Sequence, residues 1–395
     1  MTTTRSARPL STVTTSDELR PPTIGVDPIT ALWVPAVGVD VPVPFDLRAE
    51  VGRSSDCAVV INHPGVSRVH VQIERQGNRL RVVNRSKNGT EYRGVLNSDF
   101  VIEAGERMKF DQVEVFPLTR SMVAARRELA FCLGYGPEGR VMDLIAAAAA
   151  ASSFAVVGGP GTPRYEVASA LVRASPRRDA RRRDVIRDQV PSDADAIRET
   201  GSRTMGGVVY VDGDVLGKLD AAHRGALVQQ VSDPKWNLMT LWGQELASVE
   251  DGKPDNRKAK QPLTAGPKLP TEVAMLCARL PSIRIVEIRS VASRARDELP
   301  TMLEHLFAAM GVGVTTHHLD RDPQRPNLRA LQRYAWPDNH HELRLCAGYI
   351  AHALQGAGVE KIADMLGVTH DGKPLTRMRL RVLVEKWGLA VGRAQ

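Results

Sequence analysis

The stretch VGRSSDCAVVINHPGVSRVHVQIERQGNRLRVVNRSKNGTEY, residues 51–92, decides how this chain is read. Its short apolar runs, CAVVI, VHVQIE and LRVVN, are broken by Gly, Asn, Asp and Pro, the texture of strands joined by turns. The same texture extends outward to LWVPAVGV at 32–39 and VEVFPL at 113–118. This spacing predicts an all-β sandwich over residues 29–120.

Three groups of residues fall between the predicted strands: Gly52-Arg53, Ser67-Arg68-Val69-His70 and Ser86-Lys87-Asn88-Gly89-Thr90. A phosphate monoester carries about −1.5 to −2 charges near neutral pH and three acceptor oxygens, so its site needs a forked cation and short neutral donors. Arg53, Ser67 and Arg68 are such donors. The plainer alternative is a sandwich whose loop arginine and serine are simply solvated. In this order the pieces G-R, S-x-x-H and N-G resemble the forkhead-associated (FHA) family, over about residues 30–119.

The resemblance implies loops at one end of the sandwich that bind phosphothreonine. Arg53 and Ser67 would grip the phosphate, Arg68 would add charge or a main-chain contact, and Asn88 would hold the peptide backbone. Lys87 stands where many relatives have a small hydroxyl residue, which alters selectivity after the phosphothreonine. Gly52, His70 and Gly89 are read as structural: turn conformations for the glycines, a loop-bracing imidazole for the histidine.

At 395 residues, the chain has room for two or three domains. It is 43% apolar, 25% charged and 5% aromatic, a globular composition, and its net charge of +8 favours an anionic partner, either nucleic acid or a phosphorylated protein. Cys57, Cys132, Cys277 and Cys346 lie far apart without a C-x-x-C pair, so no zinc site, other metal site or disulfide framework is expected. No hydrophobic signal core opens the sequence, and the alanine run at 146–151 is too short to span a bilayer, so the expectation is a cytoplasmic protein with no membrane role. Residues 1–28, rich in Thr, Ser and Pro, read as a disordered tail. Within it Thr14 and Thr15 each precede an acid by three residues, a spacing FHA domains often favour. Phosphorylated there by a Ser/Thr kinase, the tail could bind its own domain at high effective concentration.

From residue 121 the texture turns helical, with RRELAFCL and MDLIAAAAAA, then strand-like FAVVGG, helix-like YEVASALVRA and strand-like GGVVYVDGD. That alternation predicts an α/β domain over 121–290, followed by a helical lid-like domain over 291–354, with everything after Leu280 read as helix. The run Arg177–Arg187, with interspersed Asp, reads as a solvated helix face. The segment GGPGTPRYEVA, residues 158–168, follows a strand and opens a helix, the setting of a phosphate loop. With Val211-Asp212, RARDELPTMLE at 294–304 and WPDNHHELR at 336–344, it resembles the P-loop-type AAA+ core of sigma-54-dependent activators over about residues 130–350.

Departures from that family are concentrated at its catalytic positions. Pro163 removes an N–H where relatives have glycine, and Arg164 replaces the lysine. Tyr165 follows, Gly213 stands in place of the second acid, His341 replaces the second-sensor arginine, and Thr240-Leu241 replaces Thr-Asn. No arginine falls at the finger position near Glu272 and Val273, and the sigma-contacting G-A-F-T-G-A loop is absent. The expectation is a non-enzymatic pseudo-ATPase requiring no cofactor, with at most weak ATP and magnesium binding through Gly158, Gly161, Arg164, Asp212 and His341.

Residues 355–395 close the chain with GVEKIADMLGV and LTRMRLRVLVEKWG, two amphipathic runs separated by HDGKP. They resemble the Fis-type helix-turn-helix of the same activators. Arg377, Arg379 and Arg381 would face DNA, with Leu380, Leu383 and Val384 inward. The turn is longer than the family's, and a dimer is expected if duplex DNA is bound. The reading is therefore a multidomain regulator: sandwich, degenerate α/β core and DNA-binding helical end. Its rivals are an adaptor that does not bind DNA and a working sigma-54 activator with ATPase activity.

Overall fold

The computed structural model describes residues 27–44, 48–76, 78–136, 139–176, 283–319, 327–368 and 373–389, together with Ala222 and the strand segments 182–184, 208–212 and 237–242. Thr14 and Thr15 lie outside the described residues, as do Glu272, Val273 and Cys277.

Two sheets face each other in the first part of the chain. One has the order β2 (Val39–Pro42), β1 (Ile29–Val34), β11 (Val113–Thr119), β10 (Met108–Phe110), β7 (Thr90–Tyr92), β8 (Val95–Asn97). The other has the order β4 (Val59–Val60), β3 (Arg48–Gly52), β5 (Val71–Gln76), β6 (Arg79–Asn84), β9 (Asp99–Glu103). Alternation along the strands sends Leu32, Val51, Ile73, Leu80, Val82, Ile102, Met108, Phe110 and Val115 into the space between them, all buried.

Helix α1 (Arg120–Leu133) continues straight from β11, and Thr119 caps it by accepting from the Met122 N–H at 3.3 Å. Asp40, at the start of β2, holds α1 against the sandwich. Its carboxylate takes a bidentate pair from Arg126 at 3.1 and 2.7 Å and contacts from Arg127 at 3.2 and 3.1 Å. The Arg126 guanidinium also lies 3.7 Å from the Trp33 ring centre. The sandwich and the following layer thus share buried surface.

Beyond α2 (Val141–Ala149) comes a parallel sheet in the order β13 (Arg182–Asp184), β14 (Val208–Asp212), β15 (Asn237–Trp242), β12 (Phe154–Gly158), β16 (Arg284–Ile288), with α3 (Arg164–Ala174) after β12. Two expectations are corrected here. Residues 182–184 of the arginine run form a strand paired with β14, not a helix face. Residues 284–288, read as helix, form β16 in parallel register with β12. Both lie at sheet edges, where one flank of the backbone is unpaired and charged side chains are tolerated, so neither carries a continuous apolar run.

The remaining helices are α4 (Val291–Ala309), α5 (Asn327–Arg333), α6 (Asn339–Leu354), α7 (Val359–Leu366) and α8 (Arg377–Lys386). Arg294, its side chain fully buried, ties α4 to the end of α1 by donating to the Cys132 and Phe131 carbonyls at 2.9 and 3.0 Å, and it pairs with Glu298 at 2.8 Å. Glu342, 2% exposed on α6, accepts from the Tyr334 hydroxyl at 2.7 Å and the Trp387 indole at 3.1 Å, joining α6 to the end of α8. Among the described residues no helix is long and apolar enough to cross a membrane, and no group of three or more His, Cys, Asp or Glu is placed to hold a metal ion.

Candidate functional site

Three loops of the sandwich meet beside Gly52. The N–H groups of Arg53 and Ser54 donate to the Ser67 and Arg68 carbonyls at 2.9 and 3.0 Å, stitching the loop after β3 to the loop before β5. A Cβ on Gly52 would lie 2.1 Å from the Arg68 oxygen, so only glycine allows this approach. Close packing rather than a left-handed turn is therefore the reason for Gly52, which corrects the expectation. Gly89 does sit at φ +82, as a turn glycine should.

His70 braces the meeting point. Its Nδ1 accepts from the Ser67 N–H at 3.1 Å, which leaves the proton on Nε2 to donate to the Gly89 carbonyl at 3.1 Å. The ring stacks on Phe110 with centroids 4.4 Å apart and is fully buried. Burial pushes its pKa below the ordinary histidine value, against the opposing pull of the Gly89 hydrogen bond, and keeps the imidazole neutral.

The third loop is joined through Ser86, for which the sequence pattern alone implies no role. Its hydroxyl lies 2.8 Å from the Ser67 hydroxyl and accepts from the Asn88 N–H at 3.1 Å. Asn84 holds this loop in shape, donating to the Ser86 carbonyl at 2.8 Å while accepting from the Ser86 N–H at 3.2 Å and the Thr90 hydroxyl at 3.0 Å. Such Asx bonding was visible in the sequence only as an Asn two residues before the serine.

The side chains thus assembled present charge outward. The Arg53 Nε donates to the Val66 carbonyl at 3.0 Å, fixing the guanidinium over the loop before β5. Arg53, Arg68, Lys87 and Asn88 are all exposed, and Ser67 is half-buried between them. Arg53, Ser67, Ser86 and Asn88 are therefore linked through one hydrogen-bonded framework, with Arg68 and Lys87 on its rim.

The glycine-rich loop after β12 is built differently. It sits at the carboxyl end of β12, which lies between β15 and β16 in the sheet, and the carboxyl ends of the strands are where open parallel sheets bind ligands. A phosphate there needs successive outward N–H groups. Pro160 and Pro163 have none, the Thr162 N–H donates to the Gly159 carbonyl at 3.2 Å, and the Arg164 N–H donates to the Thr162 carbonyl at 2.9 Å. A Cβ on Gly158 would meet the Thr162 hydroxyl at 2.5 Å, and one on Gly161 would meet the Asp338 carbonyl at 2.1 Å. His341 does come to this loop, but through its backbone N–H, 3.3 Å from the Gly161 carbonyl. Asp212 ends β14, one strand beyond β15. The two prolines and the two N–H groups bonded within the loop do not fit a phosphate cradle.

At the C-terminal end, Gly367 at φ +78 stops α7, Val368 bridges Pro374, and Thr376 caps α8 by accepting from the Arg379 N–H at 3.3 Å. Leu380 and Val384 are buried and Leu383 half-buried, while Arg377, Arg379 and Arg381 are exposed. Arg377 lies 3.8 Å from Glu360 of α7, and Arg379 donates to the Pro374 carbonyl at 3.2 Å.

Residues 49–110 match the family model described as the FHA domain. No curated protein matches the chain. Among solved structures it is similar to Mycobacterium tuberculosis EmbR in complex with a low-affinity phosphopeptide, at 23% identity over 22% of this chain and 24% of that one, TM-score 0.21. It is also similar to the Mycobacterium tuberculosis Rv1747 FHA-1 domain, at 18% identity over 24% and 99%, TM-score 0.21. A third similarity is to the yeast Dun1 FHA domain in complex with a doubly phosphorylated peptide, at 20% identity over 29% and 82%, TM-score 0.20. Two sheets, three stitched loops and the family match lead to one assignment: residues 49–110 are an FHA domain, a phosphothreonine-binding module.

Proposed function

We propose that the chain is a cytoplasmic, phosphothreonine-dependent regulator whose FHA domain reads the output of a Ser/Thr protein kinase, and whose other domains do not turn over ATP. The observation that carries the reading is the hydrogen-bonded chain from Asn88 through Ser86 to Ser67, beside the exposed Arg53. Since the Ser86 oxygen accepts from the Asn88 N–H, its own proton can go to Ser67, freeing the Ser67 hydroxyl to donate to a phosphate oxygen. Arg53 supplies the forked cation, Arg68 adds positive charge, Asn88 holds the peptide backbone and Lys87 meets residues after the phosphothreonine. The partner is a phosphothreonine-bearing protein, or the chain's own Thr14 or Thr15.

The test is capture of phosphothreonine peptides from a randomised library by the wild-type chain and by Arg53→Ala. Loss of a forked, charge-assisted contact is expected to weaken binding about a hundredfold. Equal capture by both proteins would remove the proposed role of Arg53.

The output we assign to this regulator is occupancy of duplex DNA by a dimer through α8. In support, its exposed face carries Arg377, Arg379 and Arg381 while Leu380 and Val384 pack inward. Neutralising those three arginines should lower DNA affinity and flatten its salt dependence. A wild-type chain that binds no duplex at low salt would leave a phospho-dependent adaptor instead. Measurable ATP turnover abolished by Asp212→Ala would restore the descent-based alternative of an active sigma-54 activator.

A further inference from the structure

We infer that the glycine-rich loop at residues 158–162 is a socket for a segment of the same chain, Trp336–His341, the turn before α6 with that helix's first residues, and that this turn occupies the crevice where a related fold would hold a nucleotide. Several independent contacts converge on it. The Gly161 carbonyl accepts from the His341 N–H at 3.3 Å, and the Pro160 carbonyl accepts from the Asn339 side-chain amide at 2.8 Å. The same Asn339 side chain accepts the Val291 N–H at 3.0 Å at the start of α4 and is itself buried. One asparagine therefore bridges the glycine loop and the first turn of the lid helices.

The fit is steric as well as polar. Gly161, at φ +69, lies so close to Asp338 that no other residue could stand there without moving the turn. The turn itself is held in costly backbone conformations, with Trp336 at φ 48 and Asn339 at φ 47. Asparagine tolerates this region, but tryptophan does so only where surroundings over-determine it. Those surroundings are visible. The Trp336 ring is 1% exposed, and its indole donates to the Leu331 carbonyl at 3.0 Å.

The Pro160 and Gly161 carbonyls face the turn, while the Thr162 and Arg164 N–H groups bond within the loop. Those two donors are spent within the loop, and the Pro160 and Gly161 carbonyls are satisfied by protein. Through Glu342 the turn also fixes α6 as the platform on which Trp387, at the end of α8, is seated. The socket thus sets where the C-terminal helices lie relative to the parallel sheet.

Hydrogen–deuterium exchange on the full chain tests this, comparing wild type with Gly161→Ala and Asn339→Asp. The second variant keeps the acceptor for Val291 and the tolerance of positive φ, and sets a carboxylate oxygen against the Pro160 carbonyl in place of the donor. In each variant, exchange across 336–345 should rise by about tenfold, the loss of roughly one hydrogen bond's protection, while 49–110 is unchanged. Millimolar Mg-ATP should leave wild-type exchange over 157–165 and 336–345 unaltered. Unchanged exchange across 336–345 in Asn339→Asp would overturn the socket, as would a saturable response to Mg-ATP that disappears in Arg164→Ala.

Discussion

Gly52 and Gly161 use one backbone device to opposite ends. At each, a Cβ would lie 2.1 Å from a carbonyl oxygen of a segment distant in sequence, Arg68 in the first case and Asp338 in the second. In the sandwich, the close approach ties main chains together and leaves cationic and hydroxyl side chains aimed outward. In the parallel sheet, it brings a turn down onto the loop, and the Thr162 and Arg164 N–H groups bond within the loop. Glycine content therefore does not distinguish an open binding loop from a closed one. What distinguishes them is where the neighbouring donors point.

The largest effect expected from this comparison is at Gly52 itself. Gly52→Ala should destabilise the sandwich by about 3 kcal/mol, because its new methyl group meets backbone and not a movable side chain. Urea unfolding would measure it, with Gly313→Ala, where a Cβ meets nothing within 4 Å, as a neutral control. Equal midpoints for the two variants would show that the approach at Gly52 relaxes easily.

A smaller effect is predicted at Ser86. Ser86→Ala removes the link between Ser67 and the Asn88 N–H, so phosphopeptide affinity should fall about tenfold while the fold persists. Peptide titration by fluorescence anisotropy gives the number, and an unchanged affinity would mean that Ser67 is oriented without Ser86.

The smallest effect concerns pH and spans both regions. His70 in the sandwich and His340 beside Arg294 are buried and held neutral, His340 with its pKa pushed down to about 3 by burial and by the charges of Arg294 and Arg344. A depressed folded pKa means that the unfolded chain binds protons first. The stability these groups confer is present above about pH 6.5 and is lost as pH falls below it, toward about 3 for His340. The urea midpoint should therefore be lower at pH 5 than at pH 7.5. Equal midpoints would contradict burial of these rings in neutral form.

The FHA loops were legible in the sequence because their chemistry demands particular residue types at short spacing, as in Arg53, Ser67 and Asn88. His70 was legible as a brace for the same reason. Ser86 and Asn84 were not separable from ordinary turn residues, since their importance lies in hydrogen bonds to other loops. β16 escaped detection because Arg284 and Glu287 interrupt its apolar pattern at the sheet edge, and β13 because an arginine-rich segment carries no strand signature at all. The meeting of Pro160 with Asn339 joins residues 179 apart, a separation over which no local pattern reports.

The most direct test of the account is a titration of the full chain with a phosphothreonine peptide and its unphosphorylated twin, followed by fluorescence anisotropy at constant ionic strength. The loops around Arg53 and Ser67 should favour the phosphorylated form by about a hundredfold or more, reflecting charge-assisted hydrogen bonds that a bare hydroxyl cannot make. Equal affinity for the two peptides would contradict it.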